Sequence, residues 1–294
     1  MSALTDRWAR LSGKRFTDAL IKTIVYLLLL SIGFSMLLPF LWMVSTSLKS
    51  MGRVFSFPPQ WIPDPPLWRN YIDAFSQEAR YYHWTRWLAN SVLIAVGTII
   101  GNILSNSIVA FGFARLQFPG RDFLFLVLMS TMMLPFAVTI IPLFLMFSKI
   151  GWIDTFKPLI APSFFGNAFY IFLIRQFYLT IPLEMDEAAR IDGASSLQIW
   201  MRVILPLSRP VLAAVAIFTF IHSWNDFLWP LIVINAATKW TLQLGLLSFR
   251  QDQMATNWHH MMVISTLMAL PCLTIFFAAQ RYFIQGITVT GIKG

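Results

Sequence analysis

Charge is scarce in this chain. Asp, Glu, Lys and Arg make up 12% of its 294 residues, about half the share carried by a soluble domain. That shortage argues against an ordinary water-soluble globule. Cysteine is nearly absent, Cys272 being the single one, so neither a disulfide framework nor a cysteine metal site is available. The histidines are His83, His222, His259 and His260, and none belongs to an H-E-x-x-H pair. His259-His260 lacks the further Cys, His or acidic cluster that would complete a metal centre, so no metal is expected. There is no G-x-x-x-x-G-K-[ST] loop to cradle nucleotide phosphates. Gly193-Ala194-Ser195-Ser196 lacks the second glycine of a serine-nucleophile motif. An intramembrane enzyme therefore has no catalytic constellation to work with.

What the chain has instead is apolar length. Hydrophobic residues make up 57% of it, with a mean hydropathy of +0.66. They gather in runs of about twenty or more, enough to cross a hydrocarbon core of about 30 Å. Backbone in that core must satisfy its own hydrogen bonds, and the short alternating strands of a barrel are missing. The expected fold class is an all-α polytopic membrane protein with six transmembrane helices. Spans are expected near 20–45, 88–113, 122–148, 158–180, 210–234 and 261–283. Pro39, Pro135, Pro142, Pro230 and Pro271 fall in or near them and predict kinks re-satisfied by neighbouring helices. Gly97, Gly101, Ser105, Ala110 and Gly112 recur in the second span, a spacing of about four that lets another helix approach closely.

The net charge is +9, but the basic residues are spread through membrane-flanking loops. No dense basic run is interleaved with exposed aromatics, so no nucleic-acid partner is expected. Arg7, Arg10, Lys14, Arg15 and Lys22, then Arg115 and Arg121, then Arg190, Arg202 and Arg209 put three stretches on one side by the positive-inside rule. The domain reading is a cytoplasmic N-terminal segment 1–19, a permeation domain 20–283 and a cytoplasmic tail 284–294. Within the domain, 46–87 and 235–260 are external loops and 181–209 is cytoplasmic. The basic start followed by an apolar run is read as an uncleaved first span, being too long for a signal-peptide core. The 46–87 loop is rich in Pro and Trp, as expected of an external cap with interfacial aromatics.

The 181–209 loop is more ordered in sequence than a connector needs. Pro182 suits a first helical position, and Glu184, Asp186 and Glu187 follow where the helix dipole favours negative charge. Gly193 permits a left-handed exit. Ser195 and Gln198 have capping-box spacing and predict a second short helix, bounded by Pro206 and Pro210. Ala188 and Ala189 leave a bare face on which a partner can pack.

The order Glu187-Ala188-Ala189, Asp192-Gly193-Ala194 and Val203-Ile204-Leu205-Pro206 strongly resembles the EAA loop of ABC importer permeases. Phe220 to Leu231, with Trp224-Asn225-Asp226 inside it, is similar to the fifth span of carbohydrate-type permeases. Asn90-Ser91, Ala114-Arg115, Phe118-Pro119-Gly120, Gln280-Arg281-Tyr282-Phe283 and the ending Gly291-Ile292-Lys293-Gly294 extend the likeness to the smaller, MalG-like half of a sugar importer. The resemblance implies the ABC type I importer permease fold, in a bacterial or archaeal cytoplasmic (inner) membrane with both termini cytoplasmic. It implies a second, MalF-like permease, an ATP-binding cassette ATPase dimer and an extracytoplasmic solute-binding protein as partners. It also implies a chain that binds no cofactor, with ATP and Mg used by the ATPase, and a cargo that is a sugar or oligosaccharide. A sugar phosphate such as glycerol phosphate is the alternative.

By the same resemblance, Glu187, Ala188, Ala189, Asp192 and Gly193 are ATPase-coupling residues. Gln253, Asn257 and Trp258 are candidates for binding-protein contact. Ile292, Lys293 and Gly294 are candidates for contact with the ATPase. Trp224, Asn225 and Asp226 are candidates for the translocation path, because an ionisable residue inside a span usually faces a cavity or a bundle interior. Interhelical hydrogen bonding is the competing reading, and the favoured one for His222.

Overall fold

The structure is a computed structural model. It describes residues 2–75, 84–247 and 258–291, with side chains described for all of these except 2–16 and 279–291. Every regular element among the described residues is helical. In chain order the α-helices are α1 (Ser2–Ser47), α2 (Arg69–Phe75), α3 (Trp84–Arg115), α4 (Arg121–Ser130), α5 (Phe136–Lys149), α6 (Lys157–Ile160) and α7 (Ala168–Tyr178). Then come α8 (Glu184–Ile191), α9 (Ser196–Ile199), α10 (Leu205–Leu207), α11 (Arg209–Asn225), α12 (Leu228–Val233), α13 (Leu242–Gly245) and α14 (Trp258–Gly291). Among the described residues, four helical stretches are long and apolar enough to cross a membrane, and up to six if each of two bent pairs counts as one span.

The bends fall where backbone chemistry forces them. Between α4 and α5 the axis turns by 98°. Leu134 is extended there, with ψ 113°, because the ring of Pro135 disfavours helix in the residue before it. The expected third span at 122–148 is therefore a broken one. A second bend, of 79°, separates the segment Ser196–Leu207 from α11, with Pro210 in the first turn of α11. The expected fifth span at 210–234 is also interrupted, since α11 stops at Asn225 and Asp226 is extended before α12 begins. Pro39, Pro142 and Pro271 by contrast sit inside α1, α5 and α14.

The chain divides into two compact units. The first comprises Met1–Tyr71 and Asn257–Thr266. Its long helix α1 shows apolar side chains on all sides from Leu20 to Leu41, as a helix solvated by lipid does. Past the end of α1, Asn70 donates to the carbonyls of Ser47 and Lys49 at 2.8 and 2.9 Å. The Lys49 amine lies 3.8 Å from the ring centre of Trp42, and burial pushes its pKa below the ordinary lysine value. Trp42 meets Trp61 edge-on at 5.0 Å. The start of the expected external cap is thus a structured turn.

The second unit comprises Ile72–Thr256 and Leu267–Gly294. Its spine is α3, packed against α7 and α11. A Cβ at Gly97 would touch Ile160, and one at Gly101 would overlap the Ser163 hydroxyl and crowd Phe164. Ser105 donates to the Ser163 carbonyl at 2.8 Å. The small-residue stripe of α3 thus receives the segment 160–164, although Gly112 faces open space. Toward the other end of α3, Ala110, Phe111 and Ala114 join Ile171, Ile174 and Tyr178 of α7, Val211 and Val215 of α11, and Ile199, Trp200 and Ile204 in one buried core.

Candidate functional site

Within the second unit lies a cavity of about 450 Å³. Thr98 and Asn102 of α3, Tyr170 of α7 and Thr219, His222 and Ser223 of α11 supply polar side chains to its wall. Asp226, in the break between α11 and α12, supplies its carboxylate, and Phe136, Phe147, Phe169 and Trp229 supply aromatic faces. No Lys or Arg is among its lining residues. The polar groups are tied across helices. Asn102 donates to the Thr219 hydroxyl at 3.4 Å, and the Asn106 side-chain oxygen, Oδ1, accepts from the Asn167 backbone amide at 2.5 Å. Asn167 in turn caps α7 by accepting from the amides of Phe169 and Tyr170. The Trp229 indole donates to the Pro158 carbonyl at 3.1 Å, which fixes its ring in the wall.

Of the three path candidates the cavity takes one. Asp226 lines it, whereas Trp224 and Asn225 do not. Trp224 is buried, stacks on Phe220 at 5.1 Å and donates to the Met268 carbonyl at 3.1 Å. Asn225 donates to the Ile221 carbonyl and accepts from Gln243. His222, favoured from sequence as helix glue, is at the cavity wall. Thr98, Asn102 and Asn106 belong to no recognisable motif. Their signal was present as polar residues every fourth position in an apolar run, one face of a helix.

The 181–209 loop is built as a helix, a left-handed residue and a second helix. Its first helix begins at Glu184, two residues beyond Pro182, because the first carbonyl to accept helical bonds is that of Leu183. Gly193 has φ +81°. The Gly193 amide donates to Arg190 and the Ala194 amide to Ala189, the paired bonds of a Schellman ending. Ser195 and Gln198 form the full capping box. The second helix passes through a π turn at Trp200–Ile204 and runs on through Pro206 to Leu207. Glu187, Ala188, Asp192 and Gly193 are exposed, while Ala189 packs against the buried core. Neighbouring residues on a helix lie about 100° apart, so the two alanines do not share one bare face. Asp186 and Arg115, both buried, pair beneath this helix, with Arg115 Nε 3.5 Å from Asp186 Oδ2.

At the opposite end of α3, the stretch after α12 is pinned from two sides. Trp87 donates to the Ala237 carbonyl, and Asn90 to the carbonyls of Thr238 and Trp240. The Asp154 carboxylate accepts from the amides of Asn235 and Ala236 and from Lys239. Trp258 opens α14 and meets Phe55 edge-on at 5.6 Å. Gln253, Asn257, Ile292, Lys293 and Gly294 lie outside the described residues.

Residues 106–289 match the family described as binding-protein-dependent transport system inner membrane component. The chain belongs to this family of ABC transporter permeases. A permease of the arabinooligosaccharide transport system of Halalkalibacterium halodurans, AraQ, is 35% identical over 85% of this chain and 86% of its own length. The probable ABC transporter permease YurM of Bacillus subtilis is 31% identical over 92% of this chain and 87% of its own. UgpE, an sn-glycerol-3-phosphate permease of Pectobacterium atrosepticum, is 34% identical over 80% of this chain and 84% of its own. In fold, the chain matches a bacterial ABC transporter involved in the import of the acidic polysaccharide alginate. The TM-score is 0.81 at 23% identity, covering 91% of this chain and 98% of that one. The permease is therefore an inner-membrane transport subunit of the type I importer fold.

Proposed function

We propose that this permease forms one half of the path of an ATP-driven importer for a neutral sugar or oligosaccharide. The observation that carries the reading is the cavity wall, which presents one carboxylate, an imidazole, hydroxyls, amides and aromatic faces but no cation. Hydroxyl-rich, uncharged cargo exchanges hydrogen bonds with such a wall and lays its apolar ring faces on the aromatics. A phosphate ester meets the Asp226 carboxyl and finds no Lys or Arg among the lining residues to neutralise it. That lack of a cation favours the sugar over the sugar phosphate that UgpE relatives carry by name.

The chain itself is non-catalytic. It carries no nucleotide loop, binds no cofactor and leaves ATP and Mg to a partner ATPase dimer. A second permease completes the path, and an external binding protein delivers the sugar. The 181–209 loop faces the cytoplasm, and Glu187, Ala188, Asp192 and Gly193 present the surface that the ATPase engages, with Ala189 fixing the helix to the core. ATP drives the alternation because it binds the two conformations with different affinity.

The test is reconstitution of the whole complex in proteoliposomes, with a neutral oligosaccharide and glycerol phosphate offered in turn. Hydrolysis and uptake stimulated by the sugar alone are expected. Stimulation by the phosphate ester without a response to sugar defeats the neutral-cargo reading. Gly193→Asp puts a charged side chain on the exposed residue that ends the first helix, at φ +81°, and is expected to abolish stimulated hydrolysis while the complex still assembles. Normal stimulation in that variant removes the coupling role of the loop.

A further inference from the structure

Arg115 is the last residue of α3, and its side chain is 1% exposed. One of its nitrogens, Nη2, donates to the carbonyls of Tyr178 and Ile181, both at 2.7 Å. Tyr178 ends α7, and Ile181 lies in the turn that leads to α8. The same guanidinium faces Asp186, in the first turn of α8, through Nε. One side chain thus joins the ends of α3 and α7 to the start of the coupling helix. Among the described residues of α8, Asp186 is the single buried one.

A carboxylate in a first turn serves the helix dipole as well in water as in the interior. Its burial needs another reason, since a buried charge persists only when it is paired. The guanidinium is suited to the task, because Nη2 donates to two carbonyls while Nε holds the permanent charge at ion-pair distance from the carboxylate.

We infer that the Arg115–Asp186 pair is the link through which displacement of α8 is passed to α3 and α7, and so to the cavity. Both residues are positioning residues, and the inference rests on reading α8 as the coupling helix. Moving α8 away from α3 requires parting a buried ion pair, so the helices travel together. The remaining grip on α8 is thin, because Met185, Glu187, Ala188 and Arg190 are exposed and Ala189 alone of its middle residues meets the core. Along α3, Asn102 lies thirteen residues before Arg115, about 20 Å up the axis. Along α7, Tyr170 lies eight residues before Tyr178, about 12 Å up the axis. Both line the cavity, so a shift at Arg115 reaches it along two continuous helices.

The experiment uses the complete complex and reads uptake per ATP hydrolysed beside the yield of assembled complex. Asp186→Asn removes the ion pair while keeping the shape. Arg115→Met combined with Asp186→Leu removes both charges and leaves none buried alone, so this second variant guards against loss of folding. In each, hydrolysis is expected to persist while uptake per ATP falls roughly tenfold, within the usual span of coupling effects. Wild-type uptake per ATP in either assembled variant overturns the inference, whatever happens to yield. Failure of the wild-type complex to show substrate-stimulated hydrolysis would instead strike the importer reading itself.

Discussion

Asp154 holds a left-handed backbone, φ 59°, in the turn between α5 and α6. Aspartate tolerates that conformation better than most residues. Its carboxylate gathers the Ala236 amide at 2.9 Å, the Lys239 amine at 2.8 Å and the Asn235 amide at 3.0 Å. The Ala236 amide first, then Lys239 and Asn235, hold its pKa below the ordinary carboxylate value. A lowered folded-state pKa means stabilisation that is present above the unfolded value, about 3.9, and lost as pH falls through the folded one. Asp154→Asn keeps the backbone preference and removes the charge. Its melting temperature in detergent is expected to trail wild type by a constant margin between about pH 6 and 8, well above the ordinary carboxylate value, and to converge with it as pH falls below about 4. A margin independent of pH would show that the carboxylate charge does not hold the turn. Nothing in the sequence marks Asp154, because its partners lie more than eighty residues away. Gly193 is the opposite case, since the run EAA-x-x-D-G-A announces a helix end and the φ of +81° provides it.

At the scale of an element, hydropathy located the runs but not their interruptions. The stretch 123–148 carries no charge and 210–234 is interrupted chiefly by the polar residues between His222 and Asp226; the helices break at Leu134–Pro135 and at Asp226. A proline inside a span is tolerated at Pro142 and attends a break at Pro135. Which of the two happens depends on whether neighbours take up the freed carbonyls, which is tertiary information. The small-residue stripe of α3 makes the same point. Gly101 and Gly112 fit one pattern in sequence, yet Gly101 is pressed against Ser163 and Phe164 and Gly112 faces open space. Alanine at Gly101 must displace that segment, and overpacking of this kind costs about 1–3 kcal/mol. Alanine at Gly112 meets nothing and gains up to ~1 kcal/mol of helix propensity. Thermal unfolding of the two variants is expected to move in opposite directions. A shift of the same sign in both would mean that the 160–164 contact does not constrain α3.

For the whole molecule, the distribution of Arg and Lys predicts an orientation with residues 181–209 and 235–247 on opposite sides of the membrane. The crossing between them falls to α11. Its seventeen residues reach about 26 Å, short of a hydrocarbon core of about 30 Å, so the six residues of α12 or the last turn before Ser208 must complete the passage. Ser196 opens α9 and Thr238 lies beyond α12, and both are exposed. In a chain whose one cysteine, Cys272, is replaced by serine, each can be changed to cysteine and probed with a membrane-impermeant maleimide. Thr238→Cys is expected to react in cells whose cytoplasmic membrane is intact, and Ser196→Cys only after permeabilisation. The reverse pattern would invert the orientation and defeat the coupling role proposed for residues 181–209. Reaction of both from outside would mean that α11 and α12 together fail to cross, and the cavity between α3, α7 and α11 would no longer lie in a path from one side to the other.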